Sequence, residues 1–258
     1  MDKVKQSFNK LCDIKYRTYG FRRFNCTYAR IQSDMLQSFS LRKSNGRDLY
    51  NVFFGIVPLC NTILSLDMEI YSLDQLCDDA ATYSYGWSPD LTEIDAEQAC
   101  SQRIITAIEK NLMPLFLKCS NCKVALNELI KIEMVLENNR KISLQREGRS
   151  DCAESQFSSS LFDPNKYCLA LKAKDYTYMK KHLLLKLSFY DKRISAIENG
   201  ELQQPDVVYQ HFIQEREETR KQLLKLEVHD DCYFDQLVAK QEQQTTMLLK
   251  EKYPKIFK

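Results

Sequence analysis

The sequence predicts an α+β protein: an N-terminal antiparallel meander sheet with helices on one face, followed by an all-α helical-hairpin region. Three runs of strand composition, FNCTYARIQ, MLQSFSLRK and LYNVFFGIV, follow one another between residues 24 and 57, separated by Ser33-Asp34 and Asn45-Gly46. Apolar residues recur at helical spacing before these runs and again, in long stretches, beyond residue 95. Between residues 139 and 165 the composition shifts to Ser, Arg, Gln and Asn with little periodicity, which separates the mixed half from the helical half.

The first element, Asp2 to about Tyr19, places Val4, Phe8, Leu11, Cys12 and Tyr16 on one stripe, an amphipathic helix with Gly20 at its C-terminal cap. Asn45-Gly46 favours a two-residue type I′ turn, because both positions of that turn need a positive φ. Such a turn sets the register: Lys43 faces Asp48 as a cross-strand charge pair, Leu41 faces Tyr50, Phe39 faces Val52, and Arg47 is left as a solvated turn residue. Phe39, Leu41, Tyr50, Val52 and Phe54 then share a core face. Ser38, Ser40, Arg42 and Asn51, with Phe53 and Gly55, share the opposite, open face. After Pro58, the alternation of Ile63, Ser65, Asp67 and Glu69 with Leu64, Leu66, Met68 and Ile70 predicts a fourth strand.

A short helix and an acidic, aromatic loop carrying Gly86, Trp87 and Pro89 come next. Helix follows from about Asp95 to Leu112, is broken or kinked at Pro114, and restarts near Asn121 to run to about Asn138. Beyond the 139–165 segment, read as a linker or long loop, Asp163-Pro164 starts a helical stretch with Met179, Leu183, Leu187, Tyr190, Ile194 and Ile197 on one stripe, ending at Gly200. Small Ala170 and Ala173 sit where two helices would approach, and two more helices are predicted at about Asp206–Leu226 and Asp231–Lys252. The expected organisation is an α+β domain over 1–138, a linker over 139–165 and a helical domain over 166–258.

Formal charge is only +2 over 258 residues, but it is unevenly spread. Residues 1–60 hold 11 Lys and Arg against 4 Asp and Glu, and residues 61–105 hold 1 against 9, so a basic and an acidic stretch neutralise each other within one domain. Ten cysteines are scattered along the chain, MDKVKQSFNK lacks the apolar core of a secretory signal, and the run VFFGIVPLC is far shorter than a bilayer span. The expectation is a cytoplasmic protein with reduced, packed thiols and no membrane contact.

Six glycines, the nearest pair nine positions apart at Gly46 and Gly55, leave no P-loop, G-x-G-x-x-G turn or G-x-S-x-G elbow. Cys119 and Cys122 form one C-x-x-C, with no second C-x-x-C or H-x₃₋₅-H to complete a zinc site; it reads as a helix connection in which Ser120 or Asn121 caps the second helix. Of three histidines, His229 sits in VHDDC, where a metal hydrolase would need further ligands from other helices. Asp230 or Asp231 there reads as a helix cap, and His182 and His211 as packing residues. Tyr16, Tyr19, Phe21, Phe24 and Tyr28 interleave with Lys15, Arg17, Arg22, Arg23 and Arg30, the composition of a nucleic-acid stacking surface and equally of a junction whose rings pack inward.

The helix ending in Gly20-Phe21, the basic Arg22-Arg23 before the first strand, the Tyr28 and Arg30 segment, and the strands LQSFSLRKS and NVFFGI resemble the bacterial domain-of-unknown-function family numbered 4304. IITAIEKNLMPLFLKCSNCKVALNEL is similar to that family's closing helices. The resemblance covers roughly residues 1–130 and implies an α+β domain in a bacterial cytoplasmic protein, with no activity or catalytic residues to carry over.

The leading expectation is a non-catalytic protein-binding module, of accessory or immunity type, that binds through Ser38, Ser40, Arg42, Asn51 and Phe53. No catalytic residue, metal ligand or cofactor is expected. The alternatives are a nucleic-acid-associated protein using the basic 15–47 segment, and a metal-dependent hydrolase at His229 and Asp230.

Overall fold

The structure is a computed structural model that describes residues 2–44, 48–61, 66, 71–76, 86–146 and 163–257. The chain divides into two compact units, Met1–Asn139 with Gln241–Lys258, and Arg140–Lys240. The architecture is α+β, with a five-stranded antiparallel sheet followed by helices.

In the first unit α1 (Lys3–Lys15) buries Val4, Phe8 and Cys12 and starts at Asp2, whose carboxylate accepts the Lys5 N–H. The sheet runs in chain order through β1 (Arg22–Phe24), β2 (Thr27–Gln32), β3 (Met35–Lys43), β4 (Tyr50–Pro58) and β5 (Tyr71–Ser72). FNCTYARIQ is therefore two strands, because Asn25, at φ 56°, turns the chain between Phe24 and Thr27.

The predicted register is displaced by two residues. Lys43 pairs with Tyr50, Leu41 with Val52 and Phe39 with Phe54, and the Ser44 N–H donates to the Leu49 carbonyl at 2.8 Å. The connection is thus longer than a two-residue turn, and Asn45, Gly46 and Arg47 lie outside the described residues. A two-residue slip preserves the faces, since side chains alternate with period two. Phe39, Leu41, Tyr50, Val52 and Phe54 are all buried on one face as predicted. Lys43 and Asp48 still meet at 2.5 Å, as an ion pair reaching along the turn.

Of the predicted fourth strand only Tyr71–Ser72, paired with Phe53 and Phe54, and the buried Leu66 are described; 62–65 and 67–70 lie outside, as do 77–85 of the acidic loop. Helix resumes as α2 (Ala96–Ala107), passes through a π turn at Ile108–Leu112 and continues as α3 (Met113–Lys118). Pro114 does not break it. The Met113 N–H reaches back to the Ile108 carbonyl, and this wider turn accommodates the N–H that Pro114 lacks. α4 (Cys122–Arg146) runs past Asn139, where a linker was expected; 147–162 lie outside the described residues.

The sheet's first face is closed by aromatic packing. Phe39 stacks on Tyr28 at 5.2 Å and meets Tyr16, Phe21 and Phe116 at 5.5, 5.3 and 6.5 Å. The Tyr28 hydroxyl reaches α1, donating to Asn9 and Asp13. The second face is closed at one end by the chain's last residues: Ala29, Leu36 and Val57 form one cluster with Leu249 and Ile256, and Phe24 meets Tyr253 edge-on at 5.4 Å.

The second unit is helical. α5 (Pro164–Ala173) starts at Asp163, which accepts the Asn165 N–H, and ends at Lys174, whose φ of 52° separates it from α6 (Tyr176–Glu198). α7 (Asp206–Glu227) packs on α6 through Phe212 against Phe189 and Tyr190, and through an ion pair between Lys186 and Glu215 at 2.9 Å. α8 (Asp231–Lys252) begins in this unit and ends in the first.

Leu249 is 1% exposed within the cluster on the second face. Leu249→Ala is expected to cost about 2–4 kcal/mol of unfolding free energy in a urea titration. A loss below about 0.5 kcal/mol, the size of an ordinary surface effect, would mean that the C-terminal segment is not integral to the first unit.

Candidate functional site

The residues predicted to form one open face are divided by the structure. Ser38, level with Ala29 on β2 and Gly55 on β4, is 0% exposed, and Ser40 is 3% exposed. Both are corrections: the C-terminal segment covers the neighbouring apolar stretch of that face, which in the sequence is some 190 residues away. Arg42 is exposed, and Asn51 and Phe53 are half-buried. Arg42 lies over the Phe53 ring at 5.1 Å, a cation–π contact that ties its guanidinium to the sheet. Asn51, paired with Arg42 across the strands, donates its amide to the Ser44 hydroxyl at 3.3 Å.

Beside this uncovered end lies a shallow cleft of about 510 Å³ lined by Lys5, Cys26, Thr27, Ser40, Leu41, Arg42 and Lys43. Its position follows from strand lengths. β2 begins at Thr27, opposite Ser40, so Leu41, Arg42 and Lys43 have β4 as a strand neighbour on one side and the cleft on the other. The Asn25-Cys26 turn that opens β2 is what leaves the space.

Asp2 organises the rim. Besides the Lys5 N–H its carboxylate accepts the Tyr50 hydroxyl at 2.9 Å and lies 3.7 Å from the Lys43 ammonium. Burial pushes the Asp2 carboxyl up, but these partners and the charge of Lys5 outweigh it and hold the group below the usual carboxylate range. Burial, then the bond to Asp2, pushes the Tyr50 phenol up to about 12. Hydrogen bonding to Asp48 first, then the charge of its neighbours, holds the Lys43 ammonium above its ordinary value. Three cations and two carboxylates therefore share the site, leaving a positive excess around the cleft.

The other predicted motifs are structural in place. Cys119 and Cys122 join α3 to α4 as buried thiols outside any disulfide, and Asn121 accepts the Val124 N–H as the cap. Burial pushes the Cys119 thiol up to about 12 and raises Cys12 and Cys100 as well. Asp230 caps α8 by accepting the Tyr233 N–H at 3.0 Å and pairs with Lys225 at 2.8 Å. Asp231 accepts the Tyr176 hydroxyl, and His182 stacks on Tyr167 at 4.9 Å. Among the described residues no three His, Cys, Asp or Glu side chains are placed to hold a metal ion. Of the basic aromatic segment, Tyr16, Phe21 and Tyr28 are buried, Arg30 is buried, and Arg23 pairs with Asp13 at 3.2 Å.

Sequence reading did not single out the loop from Ser88 to Asp95, which presents Leu91 and Ile94 to solvent at 92% and 94% exposure. Two aliphatic residues inside the acidic run DLTEID are the signal that could have found it. No known family, curated protein or solved structure matches the chain. Among the described residues no helix is long and apolar enough to cross a membrane.

Part of what Asp2 contributes depends on its negative charge. Its folded pKa is depressed, so that part is complete above its unfolded value and is lost as pH falls through the folded one. Asp2→Ala is expected to cost about 1 kcal/mol at pH 7. The gap between the two proteins should begin to narrow as pH falls below about 4 and go on narrowing down to the depressed folded value. A gap as wide at about pH 2 as at pH 7 in parallel denaturations would show that the charge is not its source.

Proposed function

We propose that this protein is a non-catalytic protein-binding module, of accessory or immunity type, whose partner lays an acidic segment into the cleft beside Leu41–Lys43. The observation that carries this reading is the uncovered end of the second sheet face. There a strand end without a β2 neighbour adjoins a cleft carrying Lys5, Arg42 and Lys43. Strand ends of this kind accept further chain by main-chain pairing, and the side chains around them select it by charge. Arg42, held on Phe53, contributes a charge that needs little further ordering on binding.

The site is thus smaller than the sequence indicated: Arg42, Asn51 and Phe53, with Ser40 at the cleft wall and Lys5 and Lys43 added. A nucleic acid using the 15–47 segment would need several exposed rings for base stacking; Tyr16, Phe21 and Tyr28 are in the core and Phe24 packs on Tyr253, which leaves Tyr19, 48% exposed, from that aromatic series. The resemblance to family 4304, and with it a bacterial cytoplasmic setting, belongs to the same proposal.

Affinity capture from native lysate, with and without nuclease, tests it. A stoichiometric protein partner that survives nuclease, weakens with added salt and falls at least about tenfold with Arg42→Glu plus Phe53→Ala is the expected result. The variant's thermal melt should stay close to that of the parent. Equal capture by parent and variant would remove the site.

A further inference from the structure

The loop from Ser88 to Asp95 is held at several points. At its start the Trp87 and Tyr50 backbones exchange two hydrogen bonds of 2.8 Å, and Gly86 before it has φ 87°, where a Cβ would stand 2.3 Å from Asn51 Oδ1 and 2.6 Å from the Tyr50 carbonyl oxygen. Inside it Asp90 accepts the Thr92 N–H and hydroxyl at 3.0 and 2.7 Å, and the Glu93 N–H donates to the Asp90 carbonyl at 2.9 Å. From α2, Arg103 donates to Glu93 Oε2 at 2.6 Å and to the Ser88 carbonyl at 3.1 Å, clamping the loop at both ends. What this ordered ridge displays is Leu91 and Ile94, almost wholly in water, among Asp90, Glu93 and Asp95. Single exposed aliphatics are ordinary, but a pair set out on a clamped acidic ridge is a preorganised contact.

The same unit carries the ridge's complement. The cleft, lined by Lys5, Arg42 and Lys43, has cations where the ridge has carboxylates. The two features flank the same pair of strands: the ridge is tied to Tyr50 on β4, and Tyr50 is the strand partner of Lys43, whose other side adjoins the cleft. Two complementary features on one unit can dock reciprocally about a two-fold axis, each ridge in the other copy's cleft, so the assembly closes as a dimer.

We infer that the segment taken by the cleft is the Ser88–Asp95 ridge of a second copy of this chain, entering as a turn by side-chain contact and not as an added strand, and that the protein is a reciprocal homodimer. This rests on the cleft being a protein-binding site, and it names the occupant.

Cys26, exposed at the cleft wall, supplies a native reporter. In Leu91→Cys, mild oxidation should give a covalent dimer that disappears in the Leu91→Cys, Cys26→Ser variant. In sedimentation equilibrium the parent should be dimeric. Leu91→Ser with Ile94→Ser should raise the dimer dissociation constant at least about tenfold, as should Arg42→Glu, with unchanged melting. A parent that stays monomeric at high concentration, or a dimer indifferent to the ridge variant and without a 91–26 cross-link, overturns the inference. If the lysate capture still shows a different protein lost with Arg42→Glu plus Phe53→Ala, the binding-module reading stands without it; loss of both results removes both.

Discussion

The burial of β3 is the constraint from which the rest of the first unit follows. Every residue from Met35 to Leu41 is buried, so both faces of the central strand must be covered, and neither cover is local. One face takes α1 and the aromatic side chains around Phe39. The other takes Leu249, Tyr253 and Ile256, brought back from the far end of the chain. The cost of a strand buried on both sides is visible in its polar residues. Gln37 accepts the Arg30 Nε–H at 2.8 Å and donates to the Phe116 carbonyl at 3.0 Å. Arg30 also donates to the Tyr19 carbonyl and lies 4.6 Å over the Phe21 ring. Burial lowers the pKa of that guanidinium, yet it remains a cation whose neighbours are carbonyl dipoles and a π face. The arrangement ties β2, β3 and the end of α3 through one connected polar path, and polar paths of this kind specify a unique packing because a slipped one leaves its members unsatisfied.

The same constraint explains where the uncovered surface lies. The C-terminal segment meets the second face where that face is apolar, over Ala29, Leu36 and Val57. The other end of that face carries Arg42, Asn51 and the half-buried Phe53, and the premature start of β2 opens a cleft next to it. A single carboxylate then connects fold and surface. Asp2 caps α1, fixes the Tyr50 phenol and attracts Lys43, so the lysine stands at a defined position on the cleft rim.

Much of this was legible in the sequence because it depends on local periodicity. The first helix, the two central strands and the residues facing the core could be read from alternation alone, and the face assignment survived a two-residue register shift because side-chain direction has period two. The register itself was misjudged because Asn45-Gly46 signalled the shortest turn, whereas the closing bond runs from Ser44 to Leu49. The split at Asn25 was missed because positive φ at a residue other than glycine leaves a weak mark in composition. Half of the predicted open face was misread for a different reason. Whether Ser38 faces water depends on a segment about two hundred residues further on, and no short-range pattern encodes that contact.

The cleft's electrostatics limit what it can do. Lys43 is already engaged by Asp48 and Asp2, so an incoming carboxylate exchanges one partner for another, and the net gain is smaller than the count of cations implies. Arg42 differs in kind: it lies over the Phe53 ring, and a guanidinium on a ring face can meet an anion through its N–H edge without giving up the π contact. Recognition at this site should therefore be governed by Arg42 and by whatever apolar surface the occupant buries. The lysines would contribute to the rate and salt dependence of encounter more than to the lifetime of the complex. An occupant with carboxylates alone would bind weakly and dissociate fast. One that also sets aliphatic side chains against the cleft wall adds apolar burial, which carboxylates alone do not supply, and so lengthens the life of the complex.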